Sequence, residues 1–203
     1  MVAAGPIILA SGSSARRKML TAAGVSFTVQ PAELDEVALR SEILSGDSEI
    51  DPEYIAVRLA CEKARSVSRL NPGAIVIGAD QVLNFQGHTI EKSRGVSEAR
   101  ELLQTLRGQW HSLVSAFSLA RNGHTLCFHA DEAHMFMRDV SDSFLDAYLA
   151  RAGESILACV GCYEIEGLGA QLFDQVVGDY FTILGMPLIP LLAELRKRGA
   201  IGS

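Results

Sequence analysis

The chain has 203 residues, 48% of them apolar, with 18 Lys and Arg set against 24 Asp and Glu for a net charge of −6. This composition excludes a disordered or fibrous chain and leaves enough length for one sizeable core. The acidic balance disfavours wrapping of nucleic acid through its phosphates, but a small anionic ligand needs only a few local cations.

The apolar stretch Ile7–Ala10 predicts a short buried strand. It precedes Arg16, Arg17 and Lys18, the reverse of the order in a secretory signal, so a cytoplasmic protein is expected. Ser11-Gly12-Ser13-Ser14 then leads into a helix from about Ala15 to Ala23, with Ser13 or Ser14 as cap and Gly24 as stop. A strand around Phe27 and Val29 ends at Pro31, and the acidic segment Glu33-Leu34-Asp35-Glu36 follows. Asp51-Pro52 opens a helix whose apolar residues, Ile55, Leu59, Ala60, Val67 and Leu70, recur at helical spacing until Asn71-Pro72-Gly73. The run Ala74–Ala79 reads as a strand buried on both faces that delivers Asp80 at its C-terminal end, and a hairpin through Gln86-Gly87 leads to Glu91 and Lys92.

Ser97 is expected to cap a helix ending at Arg107-Gly108. Two long strands, about 110–120 and 125–137, should be joined at Asn122-Gly123. Ser141 or Asp142 opens a helix closing at Gly153. The last third reads as strands punctuated by glycines 161, 167, 169 and 178, then a helix over 187–198. The apolar stretch Tyr180–Ala193 is broken by Gly185, Pro187 and Pro190 and is too short to span a bilayer, so no membrane association is expected. Four scattered cysteines predict free thiols, with Cys159 and Cys162 as small residues packed in a strand. Interleaved helices and strands interrupted by two hairpins point to an α/β protein with a mixed sheet.

The turn Ser11–Arg17 places hydroxyls, a glycine and free backbone N–H groups at a helix N-terminus beside two guanidinium groups, which makes an anion site in physical terms. An ordinary capped helix with solvated cations fits the same residues. Asp80 stands where α/β sheets build their sites and could bind a metal or deprotonate water, or merely cap a turn. Asp35-Glu36, Lys63 and Lys92 read singly as surface charges. In combination they supply what hydrolysis of a phosphoanhydride needs: carboxylates for Mg²⁺ or Mn²⁺, a base for water and cations along the phosphates. His129, Asp131, Glu132 and His134 cannot converge from one regular strand and read as polar decoration of a hairpin. Trp110 and phenylalanines 117, 128, 136 and 144 are expected in the core.

SGSSARRKML at 11–20, the Asp35-Glu36 pair, LACEKA at 59–64, IGADQV at 77–82, the Lys92 segment, LRGQWH at 106–111 and EGLGAQLF…GDYFTILGMPL at 166–188 together resemble the Maf family, the septum-formation inhibitor Maf and its relatives. The match runs in order over nearly the whole chain. It implies one domain over 1–203, a two-lobed α/β fold with an elongated mixed central sheet flanked by helices around a cleft, similar to inosine triphosphate pyrophosphatases. It further implies a homodimer and a house-cleaning, divalent-metal-dependent hydrolysis of nucleoside triphosphates to the monophosphate and pyrophosphate. Carried over by position, Asp80 is the catalytic residue. Ser11, Ser13, Arg16, Arg17, Lys63, Lys92 and Gln81 are substrate-binding, and Glu36 with Asp80 holds the metal. Gln81 in place of Thr, and Cys159 in place of a lysine, resemble the branch associated with 7-methylguanosine triphosphate more than the branch that takes dTTP and UTP; Ser93 also departs from the commoner Pro. The family name suggests an alternative, a division regulator acting by partner binding, and the implied fold suggests another, hydrolysis of deaminated purine triphosphates.

Overall fold

The structure is a computed structural model that describes residues 5–45 and 51–202. A seven-stranded sheet is built from β1 (Ile7–Leu9), β2 (Thr28–Val29), β3 (Ile75–Phe85), β4 (His88–Ile90), β5 (Trp110–Arg121), β6 (His124–Met137) and β7 (Phe173–Val177). Its order is β2-β1-β3-β5-β6-β7, with β4 pairing β3 off that path. β1 runs parallel to β2 and β3 and every other pair is antiparallel, so the sheet is mixed. Gln86 and Gly87, then Asn122 and Gly123, adopt positive φ, the geometry that two-residue hairpins require.

Helices α1 (Ser14–Ala22), α2 (Glu36–Leu44), α3 (Pro52–Leu70), α4 (Val96–Leu106), α5 (Asp142–Ala152), α6 (Tyr180–Ile183) and α7 (Leu188–Lys197) complete the fold. Because side chains alternate along a strand, β3 serves two cores. Ile75 and Ile77 pack with Leu20, Phe117, Leu191 and Leu195 beneath α1 and α7, while Leu83 and Phe85, farther along the same face, pack with Leu103 and Leu145 of α4 and α5. On the other face Val82 meets Ile55, Ala56 and Leu59 of α3. Gly78 lies under α3 so closely that a Cβ there would sit 2.2 Å from the Ala60 carbonyl oxygen.

β3 also creates an opening. On one side it pairs with β5 from Val76 to Asn84. On the other it pairs with β1 only over Ile75–Ile77 and with β4 only over Leu83–Phe85, so residues 78–82 have no strand partner along that edge.

Several expectations change. Asp80 does not end a strand but stands in the middle of an eleven-residue one, because the run of buried side chains continues through Val82 and Leu83. α2 follows the acidic segment, where the sequence predicts no helix; only Ile43 of it is buried, so it carries little apolar periodicity, and its signal is Asp35, whose carboxylate accepts from the Ala38 N–H at 2.9 Å. α4 is capped at Gly95 rather than Ser97. The last third holds one strand, β7, with short 3-10 helices over Gly153–Ala158 and Leu168–Leu172 in place of further strands. Gly169 there approaches the Glu164 carbonyl too closely for any side chain. Cys159 and Cys162 sit on a turn, not a strand: the Cys162 N–H donates to the Cys159 carbonyl at 3.2 Å and Cys162 has φ +56°. Phe117 is core, but Trp110 and Phe128 are exposed on the β5–β6 ribbon.

Candidate active site

A cleft of about 810 Å³ lies along the open edge of β3. Its wall comprises the Ala10–Arg16 turn, the start of α2, Lys63, Asp80 and Gln81, the Ile90–Lys92 segment with Arg94, residues of the Cys159–Glu166 turn, and Ile183–Gly185.

Asp80 is buried on the α3 face. Its Oδ1 accepts from Lys63 Nζ at 2.7 Å and its Oδ2 meets Arg40 Nη2 at 3.4 Å. Lys63, itself buried on α3, also contacts Glu36 Oε1 at 3.0 Å. The close seat of α3 over Gly78 makes the first of these contacts reachable, since Lys63 and the Ala60–Ala64 backbone share one helical face. A buried carboxylate without such partners would be costly, so the two cations offset its burial and fix its orientation.

Arg16 completes the edge. Its Nη1 donates to the Ala79 carbonyl at 2.9 Å and to Ser11 Oγ at 3.0 Å, and its Nε donates to the Gly185 carbonyl at 2.8 Å. The guanidinium thus takes a place that a strand would take in a closed sheet. Burial pulls its pKa down, opposed by the nearby negative charges of Asp80 and Glu36. Ser13 caps α1, its Oγ accepting from the Arg16 N–H, while Ser11 Oγ accepts from the Ser13 N–H. Hydroxyls and N–H groups therefore face the cleft at the positive end of α1.

Ser11, Ser13, Arg16, Glu36, Lys63, Asp80, Gln81 and Lys92 all line this one cleft. Arg17 does not: it is exposed and outside the wall, because a helix turns about 100° per residue and Arg16 takes the inward position. Lys92 is exposed at the rim, where its charge acts on the Cys159 thiol. That thiol is pushed up to about 11, by burial first and then by Glu164 and Glu166. Gln81 lies on the opposite face of β3 from Asp80, and its amide nitrogen is already engaged by Ser115 Oγ and by the carbonyls of Thr182 and Ile183.

From the Cys159–Glu166 turn, Tyr163 OH shares a hydrogen bond of 2.7 Å with His111 Nε2 of β5. Burial pushes the His111 imidazole down to about 4 from an ordinary 6.5. Between those values the unfolded chain binds a proton that the folded chain refuses, so this residue makes stability fall as pH drops through that window and contributes no pH dependence above it. Over the whole window the loss is about 3 kcal/mol. Urea unfolding at pH 7 and pH 4.5 is expected to show a smaller pH-dependent loss in His111→Gln than in the wild type; equal losses would refute this account.

A family model described as Maf-like protein matches residues 6–198. The chain belongs to the Maf family. A 7-methyl-GTP pyrophosphatase of Brucella abortus biovar 1 (strain 9-941) is 45% identical over 195 residues, covering 96% of this chain and 97% of the relative. One of the same name from Rhizobium meliloti (strain 1021) is 45% identical, covering 97% and 98%. A nucleoside triphosphate pyrophosphatase of Nitrobacter hamburgensis is 47% identical, covering 97% and 95%. Among solved structures, a HAM1 protein from Coxiella burnetii superposes at a TM-score of 0.39 with 14% identity over 67% of this chain and 74% of that one, too little to carry an argument.

In this Maf protein the residue that sequence reasoning missed is Arg40. It lies one helical turn after Glu36 on α2, with the side chain only 14% exposed, and both residues meet the Lys63–Asp80 pair. The available signal was the i, i+4 spacing of Glu36 and Arg40, which is informative only once α2 is known to be a helix.

Glu36 and Asp80 are the residues that could hold a divalent cation. Glu36 and Asp80 offer two carboxylates to one cationic position, that of Lys63 Nζ. Among the described residues no group of three or more His, Cys, Asp or Glu forms a ready-made cage. One or two carboxylates completed by phosphate oxygens and water is the usual arrangement for Mg²⁺ on nucleotides. Among the same residues no helix is long and apolar enough to cross a membrane.

Proposed function

We propose that this Maf protein is a cytoplasmic, divalent-metal-dependent pyrophosphatase that cleaves a nucleoside triphosphate to the monophosphate and pyrophosphate. The observation that carries the reading is the buried Asp80 between Lys63 and Arg40, on the same open strand edge as Arg16 and the Ser11–Ser14 turn. When bound, the cation supplies countercharge for the phosphates and lowers the pKa of coordinated water, and Glu36 and Asp80 are the residues that would hold it. Arg16 and the N–H groups of the α1 turn bind phosphate oxygens. Lys63, Arg40 and Lys92 neutralise the charge that gathers on the departing pyrophosphate. The two cations that hold Asp80 also line the cleft, so an incoming triphosphate shares their charge and releases the carboxylate to take a proton from the attacking water.

The finer preference is for a purine whose ring carries positive charge, as 7-methylguanine does. The wall from Cys159 to Glu166 carries Glu164 and Glu166, neither of them ion-paired among the described residues, and the lysine of the commoner family pattern is replaced by Cys159. The names of the Brucella and Rhizobium relatives support the same substrate. Pyrophosphate release is measured over a panel of normal, 7-methylated and deaminated triphosphates, with Mg²⁺ or Mn²⁺ and with a chelator. Fastest turnover of 7-methyl-GTP, abolished by the chelator, is expected. Fastest turnover of dITP or XTP would overturn the base assignment, and no turnover of any triphosphate would overturn the enzyme reading.

A further inference from the structure

Behind Arg16 lies a polar network whose residues have no place in the chemistry above. Gln81 on β3, Ser115 on β5 and Asp131 on β6 form one cross-strand row, Gln81 opposite Ser115 and Ser115 opposite Asp131. All three reach α6. Ser115 Oγ donates to the Thr182 carbonyl at 2.7 Å, Gln81 Nε2 donates to the Thr182 and Ile183 carbonyls at 3.2 and 2.9 Å, and Thr182 Oγ1 donates to Asp131 Oδ2 at 2.9 Å. Ser115 and Thr182 are completely buried, and neither lines the cleft. A four-residue helix has too few hydrogen bonds of its own to hold a position. Its placement on the sheet rests on these ties together with the packing of Phe181, Ile183 and Leu184 against the core.

What α6 positions is the turn after it. The Gly185 N–H donates to the Thr182 carbonyl at 3.0 Å, and the Gly185 carbonyl accepts from Arg16 Nε at 2.8 Å. Gly185 has φ +100°, open to glycine and strained for any other residue, and that conformation is what presents its carbonyl to the guanidinium. Arg16 is thus fixed on one side by β3 and Ser11 and on the other by a turn that reports the position of Thr182. We propose that Thr182 is a positioning residue, which through its hydroxyl bond to Asp131 holds the Gly185 carbonyl against Arg16 and so aims that guanidinium at the phosphates.

The proposal rests on the reading of Arg16 as a phosphate ligand, and its test keeps the two apart. Thr182→Val keeps the branched shape and exchanges the hydroxyl for a methyl group that cannot bond Asp131. It is expected to lower kcat/KM for the triphosphate about tenfold, as a guanidinium displaced from its oxygens would, with the melting temperature little changed. Thr182→Ser, which restores the hydroxyl, is expected to recover most of the loss. In an Arg16→Ala background, itself strongly impaired, Thr182→Val is expected to cost nothing further. The same tenfold loss in both backgrounds, or no recovery in Thr182→Ser, overturns the positioning role and leaves Arg16 in place. Undiminished kcat/KM in Arg16→Ala overturns the phosphate-ligand reading and the proposal with it.

Discussion

Asp80→Asn is expected to lower kcat about a thousandfold, within the range that a positioned proton acceptor contributes, while the protein stays folded. The amide keeps the shape of the carboxylate and can still accept from Lys63 at the Oδ1 position. Lys63 also keeps Glu36 at 3.0 Å, so its ammonium is not left buried and unpaired. What disappears is the basicity of the oxygen facing the water and half of the carboxylate pair that would hold the cation. Pyrophosphate release under saturating substrate, with circular dichroism as the check on folding, decides the matter. Wild-type turnover in the variant would remove Asp80 from the chemistry.

Gly78→Ala carries the largest expected loss of stability. In an ordinary strand the change would be neutral or favourable, since alanine reduces the entropy of the unfolded chain by about 0.4–1 kcal/mol. Here the added Cβ would stand 2.2 Å from the Ala60 carbonyl oxygen and 2.6 Å from the Ala64 nitrogen, both backbone atoms that cannot turn aside. α3 must lift from the sheet, at a cost of about 3 kcal/mol, and this outweighs the entropic gain. The melting temperature is expected to fall by roughly 10 °C. Lys63 rides on the displaced helix, so kcat/KM falls even at temperatures where the variant is fully folded. A variant as stable as the wild type would show that the α3–β3 contact is looser than its geometry implies.

The parts of the fold that announced themselves in the sequence are those governed by local rules. α3 has an Asp-Pro cap and a long apolar stripe, both hairpins have their Gln-Gly and Asn-Gly turns, and the Ser11–Arg16 turn has a strand on one side and a capped helix on the other. α2 was invisible because only Ile43 of it is buried, so nothing enforces a hydrophobic period. With α2 went Arg40. The stretch from Cys159 to Leu172 misled because glycine marks turns and strand ends alike, and only the close approach of Gly169 to Glu164 shows which is meant. Arg16 and Arg17 are indistinguishable as letters, and the helical phase that separates them is set by the packing of Met19 and Leu20. Gln81, expected as a substrate-binding residue, does line the cleft, but the direction of its amide, away from Asp80 and into the Thr182 network, depends on where α6 lands about a hundred residues later.

The gap in pairing along β3 has a mechanical corollary. That strand runs unbroken for 11 residues, about 36 Å at the rise of an extended chain, and stays in continuous register with β5 from Val76–Ala120 to Asn84–Ser112. The opening sits in the middle of this length, so Asp80 and Gln81, the two cleft residues that β3 carries, are held on a strand backed by β5 along the whole gap. Arg16, Arg40, Lys63 and Lys92 reach the opening from α1, α2, α3 and the segment after β4, so the cleft is assembled from four separate stretches of chain around one continuous strand.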